Sequence, residues 1–454
     1  MKNPLLQKSL GLCVVLILLL IVIQLIGNKI NERSLYRDEA KNRVSQSWTG
    51  TQSLSIPVLV ARYQTSKLER RYDEASKQFV EEQITEKLAT FIMLEAADVT
   101  VDINNDQRQV GIYSVPVYTS DVKISGQVDF TALQALTENN NFDKWLSLDL
   151  TLSLTDLRGV VSVPYLQWQT EQLPFSSGLT ARYNKKGMHV SLPLSSINEQ
   201  TVPLQISMSV RGSSALSVLP LARDTKVQFR SNWPHPKFVG EFLPVTNSVS
   251  DSGYQANWQL SSFSSDVEQQ LEQCFLSAKC DSSGYDKIGV VHIEPVDIYT
   301  LSDRAIKYAI LFIGLTLVAF VVFEFVKDLP IHPVQYAMIG MALTVFYLLL
   351  VSLSEHFVFG WAYFGAASAC AGVLFIYLAA VLSSRGLAGV FATYILALYG
   401  TLYVIIQSED SAFVFGSLLC FAALSALMII TRKVDWYQYS LPKSKIAEAL
   451  VNKN

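Results

Sequence analysis

Apolar residues gather in two separate parts of this chain, and that split constrains the fold more than any other feature. One uncharged stretch, Ser9–Asn28, stands near the start. The sequence from Lys29 to Asp303 is mixed and largely polar. Five long hydrophobic stretches then follow: Ala305–Val326, Tyr336–Leu353, Phe357–Leu382, Leu387–Ile406 and Ala412–Ile430. A hydrocarbon core about 30 Å thick needs about 20 mostly apolar residues in a helix. Each stretch is near that length. The expectation is a helical membrane protein with six spans and one large domain between spans one and two. The boundaries read as a first span at 1–28, a large domain at 29–303, a five-helix bundle at 304–431 and a basic tail at 432–454.

Charge then orients the spans. Lys2 and Lys8 precede the first stretch, which has no small-x-small cleavage pattern before Lys29. It reads as an uncleaved signal anchor. The loop Phe325–Gln335 carries Lys327, and Ser383–Gly389 carries Arg385. The tail carries Arg432, Lys433, Lys443, Lys445 and Lys453. The alternate loops, Ser354–His356 and Gln407–Ser411, hold no Lys or Arg. Positive short loops stay in the cytoplasm, and long domains cross whatever their charge. Both termini are therefore expected inside and the large domain outside, in the periplasm of a bacterial inner membrane, with the lipid bilayer as the first partner. The oligomeric state is not readable from sequence.

The net charge of −3 gives no basic face for neutralising a nucleic-acid backbone, so no such partner is expected. There are five cysteines. Cys13, Cys370 and Cys420 lie within the spans and read as small apolar packers. Cys274 and Cys280 lie in the large domain. In an oxidising compartment they form a candidate short-loop disulfide; two free thiols, or a helix holding them apart, is the other reading. No His or further Cys stands near them to complete a zinc site.

The large domain changes period along its length. Lys29–Trp48 reads as a helical extension of the first span. Thr65–Glu95 reads as helical too, because Phe79, Val80, Ile84, Leu88, Phe91 and Ile92 recur three and four apart after the charged stretch Lys67–Lys77. A solvated arm is the alternative. After Asp98 the alternation becomes two. Val99–Ile103, Val115–Thr119, Val122–Val128, Leu146–Leu154, Val160–Val163, Val190–Leu194, Leu204–Val210 and Val227–Phe229 read as half-buried strands. Asn139–Asn141, Ser176–Gly178 and Lys185–Gly187 read as turns. The expected domain is mainly β, a sandwich or a curved antiparallel sheet with a helical start.

Several segments are more specific. They include Gly111–Ser120 (GIYSVPVYTS), Ser231–Pro244 (SNWPHPKFVGEFLP), Pro295–Tyr299 running into Arg304–Phe312, and Phe323-Glu324. His332–Tyr336 (HPVQY), Phe346–His356, Ser408–Asp410 and Thr431–Tyr437 (TRKVDWY) complete the set. In this order they closely resemble the CreD family of bacterial inner-membrane proteins, from about Leu94 to Tyr437. The resemblance implies a role in cell-envelope integrity and in the response to agents such as colicins and β-lactams. It supplies no catalytic residues and does not include the Cys274/Cys280 pair.

No pattern for chemistry emerges. His189, His235, His292, His332 and His356 form no metal-ligand spacing, and there is no P-loop, GxSxG or GxGxxG. No enzyme site and no cofactor are expected. Four features remain. Trp233, Pro234, His235 and Pro236 form a rigid extended elbow, either a corner whose Trp233, Phe238 and Phe242 plug a core or a contact surface for a partner. Asp303, Arg304, Lys307, Glu355, His356, Glu409 and Asp410 fall at one depth on the outer membrane edge, as interfacial anchors or as a polar lid coupling domain to bundle. Glu355 or Glu409 is the expected partner of Lys307. Glu324 is an inner-edge charge, read as snorkelling or paired to Lys327, Arg385 or Arg432 rather than as a proton relay. Gly365, Ser368, Ala369 and Gly372 make a small face, read as intramolecular packing or a dimer contact.

The leading function is thus a non-enzymatic envelope factor whose outer domain binds or senses an envelope component or protein partner. A transporter or lipid-handling protein would need a polar path through the spans. A membrane hydrolase would have to draw on Ser352, Ser354 and His356.

Overall fold

The computed structural model describes residues 4–73, 78–179, 186–277, 286–294, 297–327, 331–408 and 411–432. The chain divides into two compact units. One joins the start of the chain through Arg37 to everything from Val296 onward; the other is Asp38–Pro295.

The first unit is helical. It contains most of α1 (Pro4–Ser47), whose last residues belong to the other unit. Its remaining helices follow two helices of the other unit in chain order, α2 (Thr131–Thr137) and α3 (Val267–Ser277), and are α4 (Ile298–Lys327), α5 (Pro333–Ser354), α6 (Phe359–Val381), α7 (Arg385–Gln407) and α8 (Ala412–Thr431). Among the described residues six helices are long and apolar enough to cross a membrane, as the apolar stretches predict. Their ends follow from local chemistry. His332 caps α5 by accepting from Val334 N, with Gln335 closing the reciprocal bond and Pro333 in the first turn. Ser384 caps α7 through Leu387 N.

Buried aromatic residues fill the bundle: Phe320, Tyr336, Phe346, Tyr347, Tyr363 and Tyr399. Their phenols are handled individually. Tyr363 Oη donates to Tyr399 O at 2.7 Å, and Cys370 Sγ lies 3.4 Å from Tyr399 Oη. Helix α1 meets α5 at Gly340, where a Cβ would fall 2.2 Å from Leu19 Cδ1. The close helix approach expected along Gly365–Gly372 is not there. Gly372 has nothing within 4 Å of an ideal Cβ, and Ser368 and Ala369 are exposed. The buried face of α6 is instead Ala366, Ala367, Cys370 and Ala371, one helical step round.

The second unit is mainly β. Its strands are β1 (Gln52–Ser55), β2 (Val58–Asp73), β3 (Gln78–Val110), β4 (Tyr113–Asp129), β5 (Phe142–Ser153), β6 (Tyr165–Trp168), β7 (Glu171–Pro174) and β8 (Ser176–Ser177). Then come β9 (Gly187–Ser191), β10 (Thr201–Ser213), β11 (Ala215–Leu219), β12 (Ala222–Ser231), β13 (Pro236–Gly240), β14 (Thr246–Ser250), β15 (Gly253–Ser261) and β16 (Ile288–His292). Twelve of them form a curved, nearly closed, barrel-like sheet, with the path β7-β6-β10-β4-β3-β2-β5-β9-β8 and with β12, β15 and β14 branching from β3. The other four form the sheet β1-β11-β16-β13. The sheets are not purely antiparallel: β1 runs parallel to β11, and β12 runs parallel to β3.

Strand β10 shows why alternation predicts this half of the molecule. Val202, Leu204, Ile206, Met208 and Val210 are buried while Thr201, Pro203, Gln205 and Ser207 are exposed. Strand β3 is the shared element. Its first part pairs with β2 up to Met93, and from Leu94 onward it takes β12 on one side and β4 on the other.

Thr65–Glu95 is a correction: it is not helical. It is the end of β2 and much of β3, paired in register from Thr65↔Glu86 to Asp73↔Gln78. Beyond Thr65 the described pairing of β2 is with β3 alone, so both ribbon faces meet solvent. Leu68 and Phe79 are 67% and 70% exposed. With no buried face, the alternation of two never appears, and the three-and-four spacing of apolar residues is incidental. Arg70 pairs across the ribbon with Glu81 at 2.9 Å, a cross-strand contact rather than a helical one. Val160–Val163 is likewise not a strand; only Val160 bridges, to Val210. Ser176-Ser177 pairs with β9 rather than turning. Lys185 lies outside the described residues.

Candidate functional site

The helical unit concentrates its charged contacts where the chain leaves and re-enters it. Arg37 is its last residue before the β-rich unit, and Asp297 follows just after the return at Val296. Asp297 starts α4. Its carboxylate accepts from Thr300 N at 3.2 Å, Thr300 Oγ1 at 2.9 Å and Tyr299 N at 3.4 Å. Such a cap satisfies amide groups that the first helical turn leaves open. Arg37 forms an ion pair with the same carboxylate, and each side chain is only 18% exposed. Burial alone would raise the pKa of Asp297. The hydrogen bond and charge of Arg37, with the Thr300 and Tyr299 contacts, outweigh burial and hold it below the usual carboxylate value.

A second pair extends this juncture. Tyr299 Oη donates to Glu355 Oε1 at 3.2 Å, and Arg33 Nε lies 3.4 Å from the same oxygen. Glu355 is 11% exposed at the C-cap of α5. The Arg37 guanidinium stands 5.9 Å from the Tyr299 ring centroid, within cation–π range. Arg33 and Arg37 are four residues apart and so share one helix face. Together these residues hold α1, the start of α4 and the end of α5. Within the β-rich unit, Lys41 takes the next i+4 position of α1 and pairs with Glu294 at 3.0 Å.

The outer-edge residues named from sequence are only partly united by this arrangement. Glu355 is in it. Lys307 is not: it pairs with Asp303 at 2.7 Å within α4 and is 72% exposed. The expected Lys307–Glu355 pair is thus corrected, since Tyr299 and Arg33 take Glu355 and Asp303 lies one helical turn from Lys307. Arg304 is half-buried on α4, and His356 is exposed. Glu409 and Asp410 lie outside the described residues. Sequence reasoning missed Arg33, Arg37, Asp297 and Tyr299. The signal was the basic spacing Arg33, Arg37, Lys41 in a segment read only as an exposed helix.

At the other end of α4, Glu324 is 8% exposed and accepts from Tyr336 Oη. A phenol on α5 therefore meets it. Ser354 Oγ donates to Val351 O at 2.9 Å, so this hydroxyl serves its own helix. A small cavity of about 10 Å³ among Phe312, Thr316, Leu343, Tyr347 and Tyr399 has room for about one water.

In the β-rich unit the Trp233–Pro236 elbow is docked. Trp233 Nε1 donates to Ile293 O at 2.9 Å, and Ile293 N donates to His235 O at 3.1 Å. Pro236 opens β13, opposite His292. Trp233, Phe238 and Phe242 pack on the main core, and the His235 side chain is exposed. His292 is 4% exposed, beside Tyr118, Trp233 and Tyr254. Its Nε2 lies 3.1 Å from Tyr254 Oη, while Nδ1 has no partner among the described residues. Burial pushes its pKa down to about 4. Cys274 is buried on α3; Cys280 lies outside the described residues. Among the described residues, no group of three His, Cys, Asp or Glu side chains is placed to hold a metal ion.

Comparison with known proteins gives a single family. The family described as "Inner membrane protein CreD" matches residues 4–437. The Inner membrane protein CreD of Escherichia coli (strain K12) is 34% identical over 457 residues, covering 99% of this chain and 97% of the relative. Among solved structures, an M1 zinc metallopeptidase from Deinococcus radiodurans aligns with 44% of this chain and 42% of its own, at 9% identity and a TM-score of 0.22. That likeness is too slight to bear on fold or activity.

Proposed function

The chain belongs to the CreD family of inner membrane proteins, and on that premise we propose that it is a non-enzymatic envelope-maintenance factor. In this reading the β-rich unit faces the periplasm, both termini are cytoplasmic, and events at the β-rich unit reach the helices through the Arg33–Arg37–Asp297–Tyr299–Glu355 juncture. The observation that carries the proposal is the Arg37–Asp297 pair. It ties together the two points where the chain passes to and from the β-rich unit, in surroundings that exclude most solvent. A force or ligand that shifts either passing segment must strain or break that pair. The lysines and arginines of alternate loops support the orientation.

The test is survival under β-lactam challenge in cells that depend on this protein. Arg37→Ala and Asp297→Ala are expected to lose protection while remaining in the membrane; Lys307→Ala is expected to keep it. Equal survival of all three would reject the coupling role. A serine-directed fluorophosphonate probe is expected to leave the protein unlabelled. Labelling abolished by Ser352→Ala would replace this reading with a hydrolase.

A further inference from the structure

One face of the twelve-stranded sheet carries an unusual row of side chains. Across β3, β4, β10, β6 and β7, the residues Asp98, Ser125, Gln205, Gln167 and Gln172 are direct neighbours in register. All except Gln167 are exposed, and Gln167 is half-buried. The row spans roughly 19 Å, since adjacent strands lie about 4.8 Å apart. Beside it Gln127 stands between Ala96 and Pro203. Strands β3, β4, β10 and β6 line a cleft of about 470 Å³, which also takes in Gln169; Gln172 on β7 lies just outside it.

Three observations define what such a cleft can hold. First, four of its ten lining residues are glutamines, none is Lys or Arg, and one, Asp98, is acidic. Phosphates, carboxylates and anionic headgroups are recognised by guanidinium and ammonium groups, so the lining disfavours them. A primary amide both donates and accepts, which suits hydroxyl and acetamido groups. Second, one of the amides is held in place. Gln167 Nε2 donates to Gln169 O at 3.2 Å, which fixes the Gln167 amide plane. Gln169 holds φ at +52° in the two-residue β6–β7 connection, at a position that glycine normally fills. That left-handed conformation is what a tight two-residue hairpin requires at its first loop position, and it turns the Gln169 carbonyl to where Gln167 reaches it. Third, Tyr165 lies two residues before Gln167, on the same face of β6, and is half exposed. It is not part of the cleft lining, but it offers a ring on the same sheet face on which an overhanging sugar can stack.

We propose that this face binds a neutral glycan strand bearing hydroxyl and acetamido groups, laid across β3–β4–β10–β6–β7. The site deepens the envelope role and rests on the periplasmic placement of the β-rich unit for its biological meaning, though not for the binding itself. A peptide strand would favour an open sheet edge over a face. A nucleic acid or an anionic lipid would need several basic residues in the lining, whereas Lys226, beside the cleft on β12, stands opposite Asp98 in register.

The test is titration of the full-length protein in detergent with a β-1,4-linked N-acetylglucosamine hexamer, read by calorimetry. Saturable binding is expected, weakened at least about tenfold in the Gln167→Ala/Gln205→Ala double variant. The glucose hexamer is expected to bind more weakly than the acetylated one. Exposed Gln109→Ala, at the far end of β3 from this row, is expected to bind as the parent does. No saturable binding of either hexamer would overturn the proposal. So would binding unaffected by the double variant, or binding confined to a sulfated polysaccharide. Failure here, with the juncture variants still losing β-lactam protection, removes the glycan site alone. Glycan binding that persists while those variants survive normally removes the coupling role and leaves this site.

Discussion

One buried ionisable group in each unit makes an instructive contrast: a carboxylate kept charged and an imidazole kept neutral. In the helical unit, Asp297 and Arg37 stay charged because each supplies the other's counterion. In the β-rich unit, His292 is buried among Tyr118, Trp233 and Tyr254 with no carboxylate in the described contacts, and burial holds it neutral. A paired charge can join elements far apart in sequence. A desolvated neutral group only fills a core, and becomes a liability when protonated. The exposed Lys307–Asp303 pair is a third case: two charges one helical turn apart that join no second element among the described residues.

Acid separates the first two cases most strongly. His292 has a folded pKa of about 4 against an ordinary 6.5. Between those values the unfolded chain binds a proton that the folded one refuses. Stability of the β-rich unit is therefore expected to fall as pH drops from about 6.5 to 4, by about 3 kcal/mol in all, and to level off below. His292→Gln should flatten that slope in denaturant titrations run at several pH values. An unchanged slope would mean that other groups carry it. Asp297 has a depressed pKa, so its contribution is full above the ordinary carboxylate value near 4 and is lost only as pH falls below that. Mild acid thus probes one unit and strong acid the other.

Substitutions at neutral pH sharpen the contrast further. Asp297→Ala removes both a helix cap and the counterion of a mostly buried arginine, with an expected loss of about 2 kcal/mol. Glu355→Gln keeps the shape and an acceptor for Tyr299 but loses the charge facing Arg33; about 1 kcal/mol is expected. Lys307→Ala removes an exposed local pair and should cost under about 0.5 kcal/mol. Thermal unfolding in detergent reads all three. A Lys307 variant as damaging as the Asp297 one would erase the distinction between a joining pair and a local one.

The same physics decides what the sequence discloses. The six spans are legible because a bilayer demands about 20 apolar residues whatever the tertiary packing. Strands such as β10 are legible because one face is buried and the other wet. The β2–β3 ribbon is not, because with two wet faces its residues follow no period. The juncture is half legible. Glu355 stands out as a charge beside apolar sequence, but its partners Arg33 and Tyr299 are 322 and 56 positions away. Arg33 and Arg37 hide among the other charges of an exposed helix. The match of Lys307 to Glu355 fails because depth in the membrane does not fix a side chain's azimuth around its helix. The glutamine row is invisible in sequence, since it exists only once five strands are in register.

The most direct test of coupling through the juncture is a charge swap at its centre. Arg37→Asp and Asp297→Arg, made singly, place like charges together and should each abolish β-lactam protection while the protein still reaches the membrane. The double variant restores opposite charges, although it loses the helix cap. Its survival should return to within about tenfold of the parent, the signature of direct interaction between the two sites. Single variants that protect as well as the parent, or a double variant no better than either, would contradict the account.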